Sequence, residues 1–244
     1  MKKIILTVTT LLLVLTSCSD DDSMGNSSNS DFTLASNGVT CICDNAEIGD
    51  SATLTINGKQ KTFTKRTRNE LFDIIINDID DPQIPLTCTS GITSMYQLFE
   101  TERGFIQNLE HWDVSNVTNM EAMFRGAISF NKPLNDWDVS NVTNMTRMFG
   151  TARSFNQPLD NWDVSNVVNM GGMFSGADRF NQPLDNWDVS NVTNMGNMFT
   201  YADRFNQDIS SWCVEQITEE PRAFAYNSPI YATSKVPNWG LTCE

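Results

Sequence analysis

The sequence predicts an α/β repeat fold, a short solenoid of strand–turn–helix units held between two end caps. Three observations predict it. Trp112, Trp137, Trp162, Trp187 and Trp212 recur every 25 residues. Phe105, Phe130, Phe155, Phe180 and Phe205 keep the same interval, as do Phe99, Phe124, Phe149, Phe174, Phe199 and Phe224. Within one unit, Trp162 and Val164 alternate as in a short strand, while Val167, Met170, Met173, Phe174 and Ala177 follow helical spacing. Gly176 and the run Phe180-Asn181-Gln182-Pro183 then supply turn chemistry. A unit this short cannot hide its apolar face alone, so neighbours must stack. The repetition also explains the 14 Phe, 11 Met and 6 Trp among 244 residues.

The elements follow in order along the chain. Met1-Lys2-Lys3 and the apolar run from Ile4 to Leu15 read as a secretory signal peptide over residues 1–17, too short for a comfortable bilayer span. Leu15-Thr16-Ser17-Cys18 resembles the bacterial lipobox, which makes Cys18 the lipidation (palmitate) site; the alternative is an ordinary signal peptide with a chance cysteine. Residues 18–37 form an acidic tether that cannot bury a core. Its Asp20-Asp21-Asp22 cluster resembles the surface-export signal of Bacteroidetes lipoproteins, so the expected location is the outer membrane, lipid-anchored and facing the exterior.

Residues 38–87 are expected to cap the first unit. Asn57-Gly58 between alternating runs is a hairpin signal, and Thr67-x-x-Glu70 is a capping box ahead of a helix that stops before Pro82. Lys59, Lys61, Lys65, Arg66 and Arg68 form a basic cluster read as a solvated hairpin face. Residues 88–212 carry the repeats. From Cys213 to the end, residues 213–244, the pattern decays: Cys213 replaces the repeat's Asp, Ala223 its Met, and Pro221, Pro229 and Pro237 forbid regular continuation.

The unit W-D-V-S-N-V-T-N-M-x-x-M-F resembles the BspA-like leucine-rich-repeat surface proteins, which carry the 25-residue repeat of a mycoplasma-type domain of unknown function. The resemblance spans residues 88–244. It implies a leucine-rich-repeat-like solenoid on a bacterial surface, with adhesion to host proteins or other cells in some members and no assigned activity in most. It also implies that Cys213 pairs with Cys243, closing the C-terminal cap. In an oxidising envelope, Cys88 would tie the N-terminal cap to the first unit by pairing with Cys43 or Cys41, leaving one cysteine over.

Chemistry is sparse. A formal charge of −14 argues against nucleic acid, and removing Lys2 and Lys3 takes the mature chain to −16. His111 is the only histidine and stands where other units have Asp136, Asn161 or Asn186, so it reads as a turn substitution. No nucleophile elbow, phosphate loop or zinc signature occurs; no enzyme activity, cofactor or metal is expected. The Asp ladder at 113, 138, 163 and 188 reads as backbone satisfaction at tight turns, with calcium as the alternative, and the Asn ladder at 116, 141, 166 and 191 as helix capping or backbone satisfaction.

The Trp column reads as core, with a carbohydrate platform as the alternative. Positions that differ between units, such as Thr146-Arg147, Gly171-Gly172 and Gly196-Asn197, are read as free of stacking. Arg147, Arg153, Arg179 and Arg204 are the candidate binding residues among them. The expected function is protein binding or adhesion at the cell surface, through a protein or glycan ligand. Its rivals are a passive structural surface component and a carbohydrate-binding protein.

Overall fold

The computed structural model describes residues 31–242. Up to Cys88 the chain builds conventional elements. β1 (Thr33–Leu34) pairs antiparallel with β2 (Cys41–Ile42). β3 (Ser51–Ile56) and β4 (Lys59–Lys65) form an antiparallel hairpin through Asn57 and Gly58, both at positive φ. Asn and Gly are the residues that adopt this turn at least cost. β5 (Thr87–Cys88) adds to β4 in parallel.

Between them lies α1 (Arg68–Asn77). Thr67 accepts from the Glu70 amide while the Glu70 carboxylate accepts from the Thr67 amide, so two otherwise orphaned N–H groups are satisfied together. Leu71 and Ile75 face inward onto the first repeat units. A smaller core of Phe32, Cys41, Cys43, Ala46, Ile56, Phe63 and Cys88 lies under the hairpin.

Beyond Cys88 the described residues contain neither a helix nor a strand longer than a single bridge. The helix expected in each unit is replaced by consecutive turns. In the segment from Met145 to Ala152, alternate amides point two ways. Met145, Arg147, Phe149 and Thr151 donate to the carbonyls of Asn169, Gly171, Met173 and Ser175 in the next unit, at 2.6–2.9 Å. Met148, Gly150 and Ala152 donate three residues back, to Met145, Arg147 and Phe149. An α-helix would spend every amide within its own turns.

The alternation is possible because every fourth residue is left-handed: Arg147 (φ 53°), Thr151 (55°), Gly172 (64°) and Gly176 (67°). The M-x-x-M-F-x-x-A spacing still buries Met145, Met148, Phe149 and Ala152 completely. A run of turns with a four-residue rhythm therefore yields the same buried positions as a helix, and spacing alone does not separate them.

The expected strand reduces to one parallel bridge per unit, joining Ser94, Asn119, Asn144, Asn169 and Asn194 in succession. One continuous core runs from α1 to Ile230. Inside it, Phe149 stacks on Phe155 of its own unit at 4.0 Å and on Phe124 and Phe174 of the flanking units at 5.7 Å, with rings within 8° of parallel.

The stack ends differently. Phe224 meets Phe199 at 86° instead of parallel, and Trp239 packs edge-on against Phe224. Cys213 is disulfide-bonded. Cys243, the expected partner, and Cys18, the expected lipidation site, lie outside the described residues, as do the signal peptide and most of the tether.

Candidate functional site

The conserved columns of the repeat are consumed by stacking. Each Trp of the 25-residue column is buried, at most 4% exposed, and its indole N–H donates to a backbone carbonyl 28 residues earlier: Trp112 to Ile84, Trp137 to Leu109, Trp162 to Leu134, Trp187 to Leu159 and Trp212 to Leu184. The carbohydrate platform considered for the Trp column is thereby corrected, since no ring face is open to a ligand. Asp138, Asp163 and Asp188 accept from the amides of Ser140, Ser165 and Ser190, closing local turns. Hydrogen bonds from Ser165 hold the Asp163 carboxyl below its ordinary range. Asn141, Asn166 and Asn191 donate to Ser115, Ser140 and Ser165 of the preceding unit. They stitch units together and cap no helix.

Variable side chains remain on the turn face. There, residues of three units line a cleft of about 410 Å³: Thr146 and Arg147, Gly171, Gly172 and Ser175, Asn194, Gly196 and Asn197. The sequence treats these positions as free of stacking, and the structure corrects this for the second member of each pair. Arg147, Gly172 and Asn197 all occupy the left-handed region. A Cβ on Gly172 would sit 3.1 Å from Cγ of Arg147, and one on Gly171 would sit 3.0 Å from Nδ2 of Asn194.

Gly172 thus makes room for the Arg147 side chain, and Gly171 for the carboxamides of Asn194 and Asn169. The Arg147 stem is laid over Gly172, and its exposed guanidinium forms no ion pair or hydrogen bond among the described residues. An exposed guanidinium in a cleft that Asn194, Asn197, Thr146 and Ser175 also line suits a carboxylate, which it can take in bidentate fashion.

The other candidate arginines do not join it. Arg153 is two residues before its Phe, while Arg179 and Arg204 are one before theirs, so the three do not share a column. Arg153 lies 3.7 Å from Asp178, the residue that holds its position in the next unit. Arg179 and Arg204 are exposed. The basic cluster of the hairpin is largely spent on internal contacts and is not a free solvated face. Lys65 donates to the carbonyls of Asp44 and Ala46, Arg66 to Thr87 and Gln83, and Arg68 to the Tyr96 carbonyl.

Cys43 and Cys88 form a disulfide across the junction between the N-terminal segment and the first unit, and Cys41 is the buried free thiol. Burial first, and Asp113 second, push the Cys41 thiol up to about 12, so it is neutral and unreactive in the native state.

His111 is the residue that sequence reasoning undervalued. It is 2% exposed, while its counterparts Asp136, Asn161 and Asn186 are exposed. Nδ1 lies 2.8 Å from the Val39 carbonyl and Nε2 lies 2.5 Å from Nζ of Lys61, and the ring packs edge-on against Phe63. The ammonium can only donate, so Nε2 accepts and Nδ1 carries the proton toward Val39. Burial, with the nearby Lys61 charge, holds the imidazole below its usual range. The signal was present in the sequence: an apolar-tolerant ring at a column otherwise held by the small polar residues Asp136, Asn161, Asn186 and Ser211.

A family model described as "Mycoplasma protein of unknown function, DUF285" matches residues 69–171 and 152–239. No curated protein and no solved structure matches the chain.

Proposed function

The chain belongs to this family of mycoplasma-type proteins of unknown function, and from that premise we propose that it is a surface lipoprotein whose stacked units form a short leucine-rich-repeat-like solenoid used for protein binding and adhesion. In this reading it is of the BspA-like kind, acylated at Cys18, held in the outer membrane and facing the exterior. No activity on a substrate is assigned to it.

The observation that carries the reading is the division of labour along the repeat. Invariant side chains are buried or hydrogen-bonded within the stack, and one set of varying side chains lines the Arg147 cleft on the turn face. Such a division leaves a rigid backbone presenting replaceable contacts, which is what a recognition surface needs. The partner it fits is a protein that offers an acidic side chain to Arg147.

Two experiments test it. Protease treatment of whole cells should remove the protein, and complete protection would exclude a surface role. The mature chain should retain a partner from intact cells or host matrix proteins, and Arg147→Glu should reduce that retention by roughly tenfold or more. Retention unchanged by the charge reversal would remove the cleft from the proposal.

A further inference from the structure

The first repeat unit departs from its successors at the places where it meets the N-terminal segment. Position 106 is Ile, where later units have Asn131, Asn156, Asn181 and Asn206. Those asparagines hold the ladder together: the amides of Asn156, Asn181 and Asn206 donate to the side chains of Asn131, Asn156 and Asn181. Ile106 offers no such bond and is 53% exposed, so the hydrogen-bond ladder does not require an aliphatic residue there.

It lines a pocket of about 560 Å³ together with Pro82, Pro85 and Leu86 from the loop between α1 and β5, Lys61 of β4, and Asp80, Gln107, Asn108, Glu110 and His111. Pro82, Pro85, Leu86 and Ile106 give the walls a mainly apolar surface, and the polar and charged residues lie beside it, the usual composition of a ligand site. Gln107 fixes the loop by donating to the carbonyls of Ile79 and Asp81, at 2.8 and 3.1 Å.

The charges at the mouth are unequal. The Lys61 ammonium is directed onto Nε2 of His111. Asp80 and Glu110 remain, and neither has a charged partner within ion-pair range among the described residues: the His111 ring 3.5 Å from Glu110 is neutral, its Nε2 accepting from Lys61. An apolar floor with a net acidic rim, on a chain of formal charge −14, complements a partner that is apolar and basic together. We propose that this junction pocket binds a short peptide segment of another protein in which an aliphatic side chain is flanked by a lysine or arginine. The aliphatic side chain enters between Ile106, Pro85 and Leu86, and the basic group is met by Asp80 and Glu110. The site is separate from the Arg147 cleft and does not depend on it.

The test uses the full mature chain and three fluorescein-labelled, end-blocked tetrapeptides in an anisotropy titration: Leu-Lys-Leu-Lys, Leu-Glu-Leu-Glu and Ser-Lys-Ser-Lys. The first should bind at least about tenfold more tightly than either of the others. Ile106→Asn installs the residue native to the other units, so the fold is retained. It should weaken Leu-Lys-Leu-Lys by about tenfold or more with the unfolding temperature unchanged. Asp80→Asn combined with Glu110→Gln should weaken it and flatten its salt dependence, whereas Arg147→Glu should leave it unaltered. Equal affinity for the three peptides, or an Ile106→Asn variant that binds like the parent, would overturn the proposal. So would sedimentation showing a dimer that Ile106→Asn dissolves, which would make the pocket a contact between copies of this chain.

Discussion

The interior units and the two ends of the stack solve the same problem by opposite means. Between Met95 and Phe205 each unit satisfies its neighbour by repetition. Gln157, Gln182 and Gln207 each donate to the carbonyl and side chain of an Asn in the preceding unit, Asn131, Asn156 and Asn181. At the C-terminal end no further Gln arrives. Lys235, from a segment out of register, places Nζ 2.9 and 2.8 Å from the same two acceptors of Asn206. At the N-terminal end, Gln107 bonds the loop carbonyls of Ile79 and Asp81, and Trp112 bonds Ile84, a carbonyl supplied by that loop and not by a repeat. Repetition is a cheap way to satisfy polar groups, but it leaves each end as an open template. Non-repeating segments close both ends, loop carbonyls at one and the Lys235 side chain at the other, and so discourage end-to-end growth.

The comparison can be broken at measurable points. Trp162→Ala in the interior should cost the most, about 3–5 kcal/mol, because it removes a ring stacked near Phe149 and a buried hydrogen bond to Leu134. Chemical denaturation measures it. Cys43→Ser with Cys88→Ser should cost about 4 kcal/mol on the chain-entropy model for a sequence separation of 45. In the native parent, Cys41 should resist iodoacetamide until the protein is unfolded, and fast labelling under native conditions would contradict its burial.

Gly176→Ala should cost about 1–2 kcal/mol, since the new Cβ meets Cγ2 of Thr151 at 3.1 Å in a left-handed residue. Lys235→Ala should cost about 1 kcal/mol and raise amide exchange chiefly in the last unit; protection lost evenly along the chain would deny it an end-specific role.

The smallest effect is a pH dependence confined to the N-terminal junction. The folded-state pKa of His111 lies below its ordinary value of 6.5, so the unfolded chain takes up the proton first as pH falls. Its contribution to stability is therefore full above about pH 6.5 and is lost as pH drops toward the folded-state pKa. His111→Asn should flatten the dependence of stability on pH below about 6.5. An identical slope in the variant would assign it to other groups.

Local signals were legible where the physics is local. Asn57-Gly58 turns the hairpin, and Thr67 with Glu70 starts α1, because each depends on a few adjacent residues. The buried identity of Met145, Met148, Phe149 and Ala152 was equally readable from spacing. Their backbone was not, since a helix and a chain of turns bury the same positions and differ only in where alternate amides go. The Arg147 cleft was half visible: the sequence marks the position as variable. Only the three-dimensional arrangement shows Gly172 beneath the arginine and Asn194 beside it.

By itself the sequence determined the period, the buried columns and the residues that start and stop the N-terminal elements. Those follow from side-chain size, hydrophobicity and short-range hydrogen bonding. The tertiary structure decided how Met145 to Ala152 run between units, which of Cys41 and Cys43 reaches Cys88, and why His111 is buried. Each of these rests on a partner 24 to 72 residues away, whose approach is set by the stacking of the whole chain and by nothing in the local sequence.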